Sequence, residues 1–173
     1  MALRIALLLE HTPGQGTPPR KREAAVESAF AQMVHSLVTL NNAERDIVGL
    51  PSGDVAFDSW FRDAESARAA VLKSLDAVIM CHPTTATDHR FRVVARCFEA
   101  MLLTHDAAEY AATADAMMQQ AGFDHFLGHG VRAARVSALL RAFGHHFSVL
   151  LSFPDYTPPS TLGSPSETLV MAA

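Results

Sequence analysis

The stretch LPSGDVAFDSWFRDAESARAAVLKS, residues 50–74, constrains the fold more than any other part of the chain. Pro51 and Gly53 force a turn. DVAFDSWF, residues 54–61, then alternates, with Val55, Phe57 and Ser59 on one side and Ala56, Asp58 and Trp60 on the other. Asp63 is placed to cap a helix over about residues 64–74, with Ala67, Ala70, Val71 and Leu75 turned inward. A turn, a run of period two and an alanine-rich helix in succession predict mixed α and β structure.

The rest of the chain extends that reading. LRIALLLE, residues 3–10, reads as a buried strand, and the proline- and glycine-rich HTPGQGTPP at 11–19 as a loop. Residues 20–40 carry Ala25, Val26, Ala29, Phe30, Met33, Val34 and Leu37 at helical spacing, with Asn41 and Asn42 as the stop. Ile47–Val48 is a very short strand, LDAVIMC at 75–81 a further one, and HPTTATDH at 82–89 a loop. Residues 91–103 fit a helix, although CFEAMLL within them also fits a strand. Residues 106–122 are a helix stopped by Gly122, and 131–143 a helix ending at Gly144. HHFSVLLSF at 145–153 reads as a late strand, and the last twenty residues, with four prolines, as a loose tail or an arm.

At 173 residues the chain suits one domain, or one domain with an added element. The formal net charge of −4, with no clustered basic face, argues against a nucleic-acid partner. No run approaches the ~20 apolar residues of a membrane helix, and Glu10 cuts short the apolar N-terminal stretch, so the expected location is cytoplasmic. Cys81 and Cys97 have neither the number nor the spacing of a zinc site or disulfide framework, and read as buried thiols. PGQG at 13–16 lacks the lysine and spacing of a phosphate loop. His125 and His129, four apart, and the adjacent His145 and His146 have no carboxylate or cysteine at a confirming spacing, so no metal site is expected.

The only tryptophan poses the functional question. By strand parity Trp60 shares a face with Asp58, and a carboxylate beside a large ring suits a partly polar pocket better than a dry core. Three segments carry a resemblance. LRIALLLEH leads into a helix whose AFAQMVHSLV places His35 near its end. SGDVAFDSWFRDAESARAAV joins a Gly-Asp turn to an alternating aromatic strand and a capped helix. DHRF at 88–91 leads toward CFEAMLL as a closing strand. In these places, over about residues 2–104, the chain resembles the EthD-like branch of the dimeric α/β-barrel superfamily. It departs from that family in having Leu37 where a proline usually stands, and in residues 105–173, which lie beyond the usual domain.

The resemblance implies an α+β, ferredoxin-like dimeric barrel over 1–104. A helical extension with a late strand follows over 105–153, attached to or part of the same domain, and then a tail over 154–173. It implies a homodimer that takes a hydrophobic aromatic or polyketide-like small molecule without a cofactor. The reaction would be enolisation, cyclisation or isomerisation with a histidine base. Such chemistry needs a base titrating near neutrality and a donor for the enolate oxygen. The candidates are His35, then His82 and His11 just past strand ends, with Asp58 as the orienting or donating group. Trp60, Phe57, Phe91 and Phe98 are the candidate substrate walls, although aromatic residues at such spacing are more often core. The same fold also serves non-catalytic binders, structural dimers and cofactor-free monooxygenases, so enzyme and binder readings stand side by side.

Overall fold

One spacing runs through the whole molecule: buried residues recur three and four apart in every described helix. The structure is a computed structural model and describes residues 19–48, 57–120 and 130–157. These form α1 (Pro19–Ile47), α2 (Phe57–Met80), α3 (Ala86–Leu103), α4 (Ala107–Gln120) and α5 (Val131–Leu150), followed by one 3₁₀ turn at Pro154–Tyr156. In α1 the buried seam is Val26, Phe30, Met33, Leu37 and Leu40. In α2 it is Ala64, Val71, Leu75 and Val78; in α3 Phe91, Ala95, Phe98 and Met101; in α4 Ala114 and Met117. In α5 it is Ala133, Val136, Leu140, Phe143, Phe147 and Leu150. Such seams bury one face of each helix against its neighbours, and this drives bundle formation.

The contacts give an up-and-down order. α1 packs most extensively on α2, and also on α5 and α3; α3 packs on α2 and α4. The end of α1 meets the middle of α2 through Glu44 and Arg68. α1 and α5 run parallel. Near their starts Arg135 Nε lies 2.6 Å from Glu27 Oε1, an ion pair outside hydrogen-bond alignment. Near their ends Asn41 Nδ2 donates to the His146 carbonyl at 2.9 Å. Aromatic rings fill the centre: Phe30 stacks on Phe91 at 4.2 Å, and Phe98 meets the edges of Phe143 and Phe147 at 5.6 Å each. α5 therefore shares one core with α1 and α3.

This architecture corrects the expected one. Among the described residues there is no strand, so the α+β class, the ferredoxin-like dimeric barrel and the EthD-like resemblance are overturned by an all-helical bundle. The proposed strand at 3–10 lies outside the described residues. Residues 57–61 are the first turns of α2, and 75–80 its last; Ile47 closes α1, which runs on through Asn41 and Asn42. Residues 91–103 take the helical alternative, and 145–150 finish α5.

The physical reason is phase. A short apolar run has no intrinsic period, and its neighbours decide. Leu75 and Val78 continue the spacing of Ala64 and Val71, and Phe147 and Leu150 that of Leu140 and Phe143. Gly144 in mid-helix costs about 1 kcal/mol relative to alanine. Burial of Phe143 and Phe147 on either side of it, at roughly 1.5–3 kcal/mol each, outweighs that.

Candidate functional site

The seams of α1 and α2 do not stay apolar to the end. After Met33, Leu37 and Leu40, the next position at this spacing on α1 is Glu44, which is buried at 4% exposure. On α2, Arg68 stands between Ala64 and Val71 on the same face. The two approach where the helices meet: Arg68 Nη2 donates to Glu44 Oε1 at 3.0 Å. Arg68 Nη1 also donates to Glu65.

Tyr156, from the 3₁₀ turn after α5, completes the cluster. Its hydroxyl donates to Glu44 Oε1 at 2.9 Å and accepts from Arg68 Nε at 2.7 Å. The Tyr156 carbonyl accepts from the Tyr110 hydroxyl of α4 at 2.6 Å. One tyrosine thereby ties α1, α2 and α4 together at a single end of the bundle. Burial pushes the Tyr156 phenol up from its ordinary value; Arg68 opposes this and Glu44 reinforces it. Burial acts to lower the Arg68 pKa, but the Tyr156 hydroxyl and the Glu65 and Glu44 carboxylates outweigh it, and the guanidinium is held above its ordinary value. A phenol kept protonated between a carboxylate and a guanidinium is a fixed hydrogen-bond relay.

Two hollows of about 370 Å³ each flank this cluster. The first is a groove between the end of α1, the start of α2 and the 3₁₀ turn. Ile47, Val48, Phe57, Phe61, Phe153 and Pro154 make its apolar walls, and Glu44, Glu65, Arg68 and Asp155 supply its charge. Phe57 and Phe61 lie one helical turn apart, with rings nearly parallel at 17° and centroids 6.1 Å apart. Val48 and Phe61 are 54% and 48% exposed, so apolar surface faces solvent at the mouth. The second hollow lies behind Arg68 and Tyr156, against Met101, Leu102, Thr104 and Tyr110. An apolar recess with a few fixed polar groups is the usual form of a small-molecule site.

Of the residues singled out from sequence, the structure brings Phe57 to the groove. Phe91 and Phe98 are 0% exposed and belong to the aromatic core. Trp60 is on a helix rather than a strand, 36% exposed and outside the groove lining; Asp58 is exposed in the first turn of α2. His35 is exposed on α1, and His82 is exposed in the connection after α2. His82 follows the far end of the 24-residue α2, about 35 Å along the helix axis from Phe57. His11, His125 and His129 lie outside the described residues. His145 and His146 are neighbours on α5 with ring centroids 5.0 Å apart. Burial first, and then the adjacent imidazole, hold His146 below the ordinary histidine value. Among the described residues no group of three or more His, Cys, Asp or Glu is placed to hold a metal ion. Cys81 and Cys97 are free and half-buried.

Glu44, Arg68 and Tyr156 were not singled out from sequence. The available signal was the charged residue standing at an apolar seam position, which only a continuous helical phase makes visible.

Fold and site together define a helical bundle with a groove at one end, its walls apolar and its floor ionic. No family description, curated protein or solved structure matches this chain. Among the described residues no helix is long and apolar enough to cross a membrane.

Proposed function

We propose that this chain is a non-catalytic binder of a small amphipathic molecule, held in the groove between the end of α1 and the start of α2. One observation carries the reading. Exposed apolar side chains surround a recess of about 370 Å³ whose floor is a prearranged polar cluster. Exposed apolar surface is a cost unless something covers it. Glu44 and Arg68 at the groove are locked by hydrogen bonds to each other and to Tyr156, and so orient a ligand without further ordering. The ionisable groups of the groove are Glu44, Glu65, Arg68 and Asp155, with no imidazole among its described lining. That favours binding over an enolising reaction with a histidine base.

The test is a nuclear magnetic resonance titration of the full chain with a panel of amphipathic fragments of all charge types. Bound fragments are expected to shift the methyls of Ile47 and Val48 and the rings of Phe57 and Phe61. Phe61→Ser, at a half-exposed position, is expected to abolish those shifts while leaving the melting temperature nearly unchanged. A panel in which no fragment perturbs these residues overturns the proposal.

A further inference from the structure

Resting on the binder reading above, we infer that the ligand of the groove is an organic cation: an ammonium or amidinium group on an aromatic or aliphatic body. The charge of the lining points this way. Glu44, Glu65 and Asp155 face a single cation, Arg68, so three carboxylates against one guanidinium leave a formal −2. The two helix ends at the groove do not alter this. The C-terminus of α1 and the N-terminus of α2 carry opposite partial charges of about half a unit each, which cancel.

The hydrogen bonds point the same way. All three nitrogens of Arg68 are engaged: Nε with Tyr156, Nη1 with Glu65 and Nη2 with Glu44. With Nε bonded to Tyr156 the side-on fork is taken, and each Nη has already given one of its two N–H groups to a carboxylate, so an arriving anion meets a guanidinium whose charge is already matched. The acceptors are not used up. Glu44 takes both of its bonds on Oε1, and Asp155 has no hydrogen bond or ion pair among the described residues. Glu44 is the more telling of the two, being a carboxylate side chain 95% buried that nevertheless lines the groove. At the mouth, the stacked Phe57 and Phe61 rings offer an aromatic surface, to which a cation is drawn and an anion is not. The apolar walls exclude a bare metal ion as the natural occupant and call for a body of carbon.

The experiment uses three probes of one shape on the full chain: phenethylammonium, phenethyl alcohol and phenylacetate. Affinities are measured by calorimetry at low and high salt. Phenethylammonium is expected to bind roughly tenfold or more tightly than either of the others, with the margin shrinking as salt is added. Asp155→Asn, an exposed position outside the hydrogen-bond cluster, is expected to reduce that margin without changing the melting temperature. Equal binding of all three probes, or preference for phenylacetate, overturns the cationic ligand and leaves the binder reading standing. Failure of all three probes, together with a fragment panel that never touches the groove, overturns both.

Discussion

The two halves of the α1–α2 hairpin obey the same spacing with opposite chemistry. Through the middle, the seam is Phe30, Met33, Leu37 and Leu40 against Val71, Leu75 and Val78, all within 1% of complete burial. At the open end the same seam becomes Glu44 against Arg68, closed over by Tyr156. The dry half is held by area and ring packing, which are non-directional and tolerate volume-conserving exchange. The polar half is held by hydrogen bonds of fixed direction, each of which strands a partner when broken. The fold needs the first, and the proposed ligand site is built from the second.

The sharpest way to break the dry half is Phe143→Ala. Phe143 is 0% exposed and touches Phe30, Phe98 and Phe147. Its loss is expected to cost about 3–5 kcal/mol in urea denaturation. The polar half answers more weakly and in a different pattern. Tyr156→Phe keeps the ring but removes the hydroxyl shared by Glu44 and Arg68, at an expected cost of about 1–3 kcal/mol. Glu44→Leu alone leaves Arg68 without its buried partner and destabilises. Glu44→Leu combined with Arg68→Met extends the dry seam, and is expected to recover most of that loss while abolishing cation binding. Recovery of stability without loss of binding would place the ligand elsewhere.

The same comparison shows what the sequence made legible. The helices at 20–40, 106–122 and 131–143 stood out, because Phe30, Met33 and Leu37, or Val136, Leu140 and Phe143, mark helical spacing without help from elsewhere. The segments taken for strands are those where the seam is short or interrupted. DVAFDSWF reads as alternation only when cut off from Ala64; joined to it, Phe57, Phe61, Ala64 and Arg68 fall on one helical face. Asn41 and Gly144 look like stops, but Asn41 is inside α1 and bonded to α5, and Gly144 is inside α5 between two buried phenylalanines. Tertiary burial overrode both local signals. Phe57 was singled out as a candidate wall because it is a large ring, and it lines the groove; the ring-beside-carboxylate argument picked Trp60, which does not. Glu44 and Arg68 were not legible, because isolated charged residues resemble solvated ones until both helices are in register.

A smaller effect tests whether local chemistry at helix starts matters beside the seams. Asp88 is 0% exposed and caps α3: its Oδ2 accepts from the backbone of Thr84 and Thr85 at 3.0 Å each, and Thr85 Oγ1 accepts from Asp88 N at 3.2 Å. Burial acts to raise its pKa, but the hydrogen bonds from Thr84 and Thr85 outweigh it and hold the carboxyl below the ordinary range. Its stabilisation is therefore complete above about pH 4, the unfolded carboxylate value, and is lost as pH falls through the lower folded value. Asp88→Asn is expected to cost about 1 kcal/mol near neutrality, with the deficit closing in acid. A deficit independent of pH would assign the cost to shape rather than to the charge.

The smallest expected effects fall on the residues that lie in neither half. His35 and His82 are exposed and outside the groove lining. Replacing either with alanine is expected to shift stability by less than about 0.5 kcal/mol and to leave fragment binding unchanged. Trp60 follows the same logic with one useful difference. At 36% exposure, next in sequence to Phe61, it is the chain's only tryptophan and so its only indole fluorophore. Trp60→Phe should leave affinity within about twofold of the parent protein, a margin of less than 1 kcal/mol. In the parent, occupation of the groove should shift the Trp60 emission, because Phe57 and Phe61 belong to the same first turns of α2. If Trp60→Phe instead removes binding while Phe61→Ser spares it, the ligand lies on the indole face of α2 rather than on the Phe57–Phe61 face, and the polar cluster is then a structural clamp alone.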